Sequence, residues 1–146
     1  MESNTDKSEG IIDRAKVLFG KQVDLVVQQE QKVVELVQNV GGKLIKAAKN
    51  PKIIALTSPV LTFIRMLKAH FSGEHKISLT TVGLIVLALV YFLSPIDLIP
   101  DFLGFFGFAD DLSVVLAVYA KVKDEIDNFL EWEKANVKTS SLEDPQ

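Results

Sequence analysis

The sequence predicts an all-α protein, and three observations carry that expectation. Apolar residues recur at helical rather than alternating spacing in both halves of the chain. A run of twenty uncharged residues, Ile77 to Ile96, has the length of a helix of about 30 Å. Proline, glycine, serine and aspartate gather at a few points that read as helix starts and stops. The expected architecture is long amphipathic N-terminal helices followed by an antiparallel apolar helical hairpin, near 79–93 and 110–134, joined by a Pro/Gly/Asp-rich loop.

In the N-terminal half, Ile12, Ala15, Phe19, Val26, Val33, Val37, Val40, Leu44 and Ala48 form an apolar stripe interrupted by Glu30. Gly41-Gly42 is the expected break, because two glycines lose about 2 kcal/mol of helix propensity. Lys43, Lys46, Lys49 and Lys52 follow, each three apart, which lines positive charge along one side of a helical stretch. A solvated helix face, a contact with anionic lipid and a phosphate-binding stripe all fit that row. Asn50-Pro51 ends the segment. Ser58 as N-cap with Pro59 at the first helical position starts a short helix near 59–71 that Ser72-Gly73 stops. His70 and His75 are five apart across that stop, which is not the spacing of a zinc pair on one helix face.

The uncharged run 77–96 matches the thickness of a bilayer core. Tyr91 and Phe92 lie near one end, where interfacial aromatics belong, and Arg65, Lys68 and Lys76 flank the other, which the positive-inside rule assigns to the cytoplasmic side. A fully buried central helix of a bundle fits the same run, and Ser94-Pro95 stops it near Leu93. In the following loop Ser94 and Asp97 resemble a capping box around Pro95, Pro100 limits the turn, Asp101 can cap another, and Gly104 and Gly107 permit bends. Asp110 or Asp111 can cap the last helix, whose stripe is Leu112, Val115, Tyr119, Val122, Ile126 and Phe129.

Tyr91, Pro95, Asp97-Leu98-Ile99-Pro100-Asp101, Gly107 and Asp110-Asp111 resemble the signature of the YkvA-like family, small and mostly bacterial proteins defined by a domain of unknown function. The resemblance covers about residues 77–122, with Gly104 where many relatives carry proline. It implies a helical, membrane-associated domain and transfers no catalytic residue.

Asp97, Asp101, Asp110 and Asp111 are the candidate metal ligands, since hard carboxylate oxygens suit Mg²⁺ or Ca²⁺ and paired carboxylates serve two-metal hydrolysis. Capping and turn formation explain the same residues without a ligand, and no Lys, Arg or His lies within 77–120 to handle a phosphate or act as a base. Four aspartates at mid-depth facing lipid would cost of order 10–14 kcal/mol, so they face water or one another, while Phe102, Phe105, Phe106 and Phe108 can dip into an interface.

Composition sets the remaining bounds. The 146 residues contain no cysteine and two histidines, which removes disulfides, thiolate metal sites and a cysteine nucleophile. Net charge is -3 and mean hydropathy +0.24. The charge is segregated: residues 11–76 carry eleven Lys/Arg against five acids, and 77–120 carry no base and four Asp. The first residues lack the apolar core of a signal peptide. The expected organisation is a disordered N-terminus at 1–10, a basic amphipathic helical region at 11–76, a hairpin domain at 77–135 and a disordered acidic tail at 136–146. Two function classes follow. One is a membrane-associated, non-catalytic structural or interaction protein of the cytoplasmic membrane, its N-terminal region on the cytoplasmic side. The other is a soluble or membrane-bound helical module binding a divalent cation, or a metal-dependent hydrolase, through the four aspartates. No cofactor beyond that cation is expected. Partners are membrane lipid, with Lys43, Lys46, Lys49 and Lys52 as anionic-lipid contacts, and a protein partner or second copy on the N-terminal helix. Nucleic acid is not expected.

Overall fold

The structure is a computed structural model that describes residues 4–93 and 111–143. Six α-helices, and no strand, are present among the described residues: α1 Asn4–Val27, α2 Glu30–Lys46, α3 Pro51–Ser72, α4 Leu79–Leu93, α5 Asp111–Lys121 and α6 Lys123–Glu143. The chain is thus all-α. Helix reaches back to Asn4 and on to Glu143, into both terminal stretches whose composition suggests no order.

α4 is the centre. Its sequence is apolar all round, and such a helix is stable only when covered on every side. Eleven of its fifteen residues are buried, including every residue from Leu84 to Phe92. α1, α2, α3 and α5 supply the cover, and α6 packs on α3 and α5. Each fully buried Leu, Ile, Val or Phe gains roughly 1.5–3 kcal/mol from leaving water. The helix spans fifteen residues, about 22 Å, which is shorter than the bilayer core expected for 77–96. Tyr91 and Phe92 are likewise core residues, 1% and 0% exposed, and not members of an interfacial belt.

The N-terminal half breaks at a different point from the one local propensity indicates. Gln29 is extended (φ -131°, ψ 111°), and its carbonyl accepts from the Lys32 and Val33 amides at 3.0 and 3.2 Å. Glu30 interrupts the stripe because it opens α2, where a carboxylate suits the positive end of the helix dipole. Gly41 and Gly42 lie inside α2. The stripe Val33, Leu36, Val40 continues in helical register up to them, Leu44 packs beyond them, and this burial outweighs the propensity loss.

α3 also differs from expectation. It starts at Pro51 and runs unbroken through Ser58 and Pro59 to Ser72. Pro59 cannot donate to the Ala55 carbonyl, a defect worth about 3 kcal/mol. The helix persists because Leu56, Val60 and Phe63, on both sides of the proline, are fully buried. Thr57 and Thr62 hydroxyls donate to the carbonyls four residues back, Ile53 at 2.8 Å and Ser58 at 3.0 Å. Gly73 then ends α3 at φ +83°, a left-handed conformation that favours glycine, and its amide donates to the His70 carbonyl at 3.1 Å.

The last expected helix is divided at Val122 into α5 and α6. Amide bonds Val122 to Val118 and Ile126 to Val122, both 3.0 Å, carry the chain through the join. Glu125, just beyond it, meets Ser78 and Thr81 at the start of α4, so α4 and α5 run in opposite directions.

A Cβ at Gly41 or Gly42 would meet nothing within 4 Å. Gly41→Ala and Gly42→Ala should therefore each raise stability by about 0.5–1 kcal/mol in urea unfolding. A loss on substitution would contradict the open space around both positions.

Candidate functional site

Most of the segment expected to form the family-signature loop falls outside the described residues: Pro95, Asp97, Leu98, Ile99, Pro100, Asp101, Gly107 and Asp110, together with Gly104 and Phe102, Phe105, Phe106 and Phe108. The structure describes the two ends that receive it. Tyr91 stands one turn before its start, and Asp111 is the first residue of α5. Among the described residues no group of three or more His, Asp or Glu is arranged to hold a metal.

At the loop's entry, Tyr91 is sealed in the core and packs edge-on against Phe19 of α1, with ring centroids 5.3 Å apart. Its neighbour Phe92 carries Lys43. The Lys43 ammonium lies 4.6 Å from the Phe92 ring centroid and donates to the Phe92 carbonyl. A cation suits this position, because the last carbonyls of α4 form the negative end of its dipole. Lys43 is therefore turned inward, away from the row of lysines. That row is not a helix face at all. α2 ends at Lys46, Lys49 lies in the connection, and Lys52 belongs to the first turn of α3. Lys46 and Lys49 are exposed.

A second polar cluster sits at the opposite end of α4, and no local pattern announces it. Ser78 caps the helix, its hydroxyl oxygen accepting the Thr81 amide at 3.2 Å. The Glu125 carboxylate accepts the Ser78 amide at 3.2 Å, the Ser78 hydroxyl at 2.8 Å and the Thr81 hydroxyl at 2.6 Å. Burial pushes the Glu125 pKa up, but the hydrogen bonds from Thr81 and Ser78 and the nearby His75 outweigh it and hold the carboxyl below its ordinary value. The histidines flank this cluster in separate roles. His70 Nδ1 accepts the Ile77 amide at 3.1 Å, and burial, then Lys76, lowers its pKa from the ordinary value. His75 packs against Phe129 and Trp132, at 5.6 and 5.0 Å between centroids.

Among the described residues, open grooves run between helices. One, of about 410 Å³, lies between α2 and α3 and is lined by Val33, Val34, Val37, Leu67 and Phe71 with Glu30 and Lys68. Others lie where α1 meets α2 and α4, and where α1 meets the start of α4. Their walls are mainly aliphatic. Apolar contact is the chemistry they offer.

Glu125→Gln should cost about 1–2 kcal/mol at neutral pH, from hydrogen bonds to a charged acceptor. The folded-state pKa is depressed, so the carboxylate's contribution is complete above the unfolded value and is lost as pH falls through the folded one. Urea unfolding from neutral to acidic pH should show the wild-type advantage shrinking, with the variant flatter over that range. Tyr91→Ala should cost about 3–5 kcal/mol in the same assay, as an aromatic removed from a closed core does. A much smaller loss would separate the signature tyrosine from the packing of α1 on α4.

A family model described as a protein of unknown function (DUF1232) matches residues 81–117, from the buried Thr81 in α4 to Ala117 in α5. An uncharacterized membrane protein, YkvA, of Bacillus subtilis (strain 168) is 32% identical over 93 residues, which is 63% of this chain and 86% of the relative. No solved structure matches the chain. On this similarity the chain belongs to the YkvA-like family of DUF1232 proteins.

Proposed function

We propose that this protein is a membrane-associated, non-catalytic helical module, held as an intact bundle on the cytoplasmic face of the membrane. The observation that carries the reading is α3. Ile53–Ser72 is long and apolar enough to cross a bilayer, and half of it is left uncovered by the bundle. The similarity to a protein described as a membrane protein, over most of that protein's length, supports it.

Surface association fits this geometry better than spanning. The covered side of α3 includes Leu56, Val60, Phe63, Met66 and Leu67, all at most 1% exposed, and lipid crossing would withdraw them from their partners. α4 spends its apolar surface on its own chain. The basic character of 11–76 favours the cytoplasmic leaflet, whose surface potential is negative.

Fractionation of cells expressing the full chain tests this. The protein should sediment with membranes, leave them in alkaline carbonate, and need no detergent. Retention until detergent is added would make it integral, with α3 unpacked from the bundle. Recovery in the soluble fraction before the wash would overturn membrane association.

A further inference from the structure

We propose that the corner where α2 passes into α3 is the surface that meets the membrane: Ile45 and Ile54 enter the interface of an anionic bilayer, and Lys46 and Lys49 meet lipid phosphates. The proposal rests on the membrane association argued above and names the part of the protein that carries it.

Ile45 is 79% exposed and Ile54 58% exposed. A single exposed isoleucine is ordinary. These two stand on either side of a connection of four residues, 47–50, with exposed Ala48 between them and exposed Lys46 and Lys49 alongside. The outer face of α3 continues the pattern, with Leu61 seven residues after Ile54 and the exposed base Lys68 beyond it, while Arg65 on the same helix is paired with Glu133.

Charge distinguishes this corner from the other exposed apolar positions. Residues 36–73 contain six Lys/Arg and no Asp or Glu. Val17 and Leu25 on α1 are also exposed, but Asp13 and Asp24 share that helix, and Leu130 on α6 stands between Asp127 and Glu131. Leu79 is exposed in an acid-free stretch too, 75–96, but Lys76 is the one Lys or Arg in it; at the corner apolar exposure coincides with an acid-free stretch that carries six bases, the combination that anionic lipid attracts.

The backbone suits an interface. The Ala47 amide donates to the Lys43 carbonyl, the Asn50 amide to Ala47 and the Ile54 amide to Asn50, each at 2.9 Å. These three bonds fix the turn from which the isoleucines project. A nucleic acid would use the lysines but has no need of two projecting isoleucines.

Flotation of the purified full chain with vesicles tests the assignment. Vesicles of phosphatidylcholine containing phosphatidylglycerol should bind it, and phosphatidylcholine alone should bind it far less. Lys46→Glu/Lys49→Glu and Ile45→Ser/Ile54→Ser should each lower binding roughly tenfold or more. Val17→Ser/Leu25→Ser should leave it within about twofold, since no basic cluster assists that face. Circular dichroism and melting check that the variants fold. Lys49→Glu alone, placed in the turn, avoids disturbing the last turn of α2. Wild-type binding that both corner variants retain would overturn the corner while leaving membrane association standing. Wild-type failure on both vesicle types would overturn both. Failure on vesicles with binding to duplex DNA that Ile45→Ser/Ile54→Ser retains would assign the lysines to nucleic acid instead.

Discussion

Everything in this bundle follows from the need to cover α4. A helix with apolar side chains around its whole circumference has no face to give to water, so at least three neighbours must pack on it. Here four do. The demand explains why α2 stays helical through two glycines and why α3 tolerates a proline in its interior. In each case the local cost is a few kcal/mol at most, and it is offset by large side chains that α4 and its neighbours need in place. The strain in the outer helices is distributed by the requirements of the inner one.

The two ends of α4 are finished by opposite charges. Glu125 sits at the N-terminus, where unpaired amides point outward, and Lys43 at the C-terminus, where unpaired carbonyls do. Both groups come from other helices, so each completes the backbone of α4 and at the same time pins a neighbour to it. Arg65 with Glu133 at 2.8 Å and Lys121 with Glu9 at 2.6 Å act on the outside of the bundle, where solvent screens them and their contribution is smaller.

Much of this was legible in the residue pattern, and the exceptions have a common cause. Val33, Val40, Val115, Val122, Ile126 and Phe129 are core residues as their spacing indicates, because period 3.6 records which face is covered. Gly41-Gly42 and Ser58-Pro59 misled because propensity is local and packing is not. The break at Gln29 leaves no mark in the sequence except Glu30. The lysine row needed an unbroken helix, and once α2 ends at Lys46 a spacing of three no longer implies a shared face. The assignment of Tyr91 and Phe92 to an interface took a long apolar run as lipid-facing, whereas the chain supplies its own apolar cover. Glu125 meets Ser78 across 47 positions, beyond the reach of any local motif. The signature aspartates Asp97, Asp101 and Asp110 lie outside the described residues, and the pattern around them remains a matter of sequence.

The order in which the helices are made does not match the order in which they find partners. α1 leaves the ribosome first, yet Phe19 waits for Tyr91, and Glu9 waits for Lys121, 112 positions later. At ordinary translation speeds of about 5–20 residues per second, that gap is roughly 6–22 s. Until α4 and then α5 are made, Ile12, Ala15 and Val23, all destined for the core, lack most of the surface of their own chain that they come to pack against. Such non-local closure is unusual for a helical protein and slows its folding relative to bundles built from adjacent pairs. The nascent chain therefore passes through a stage in which an amphipathic helix is complete and its apolar face is unclaimed, so the cellular surface nearest the ribosome has first access to it.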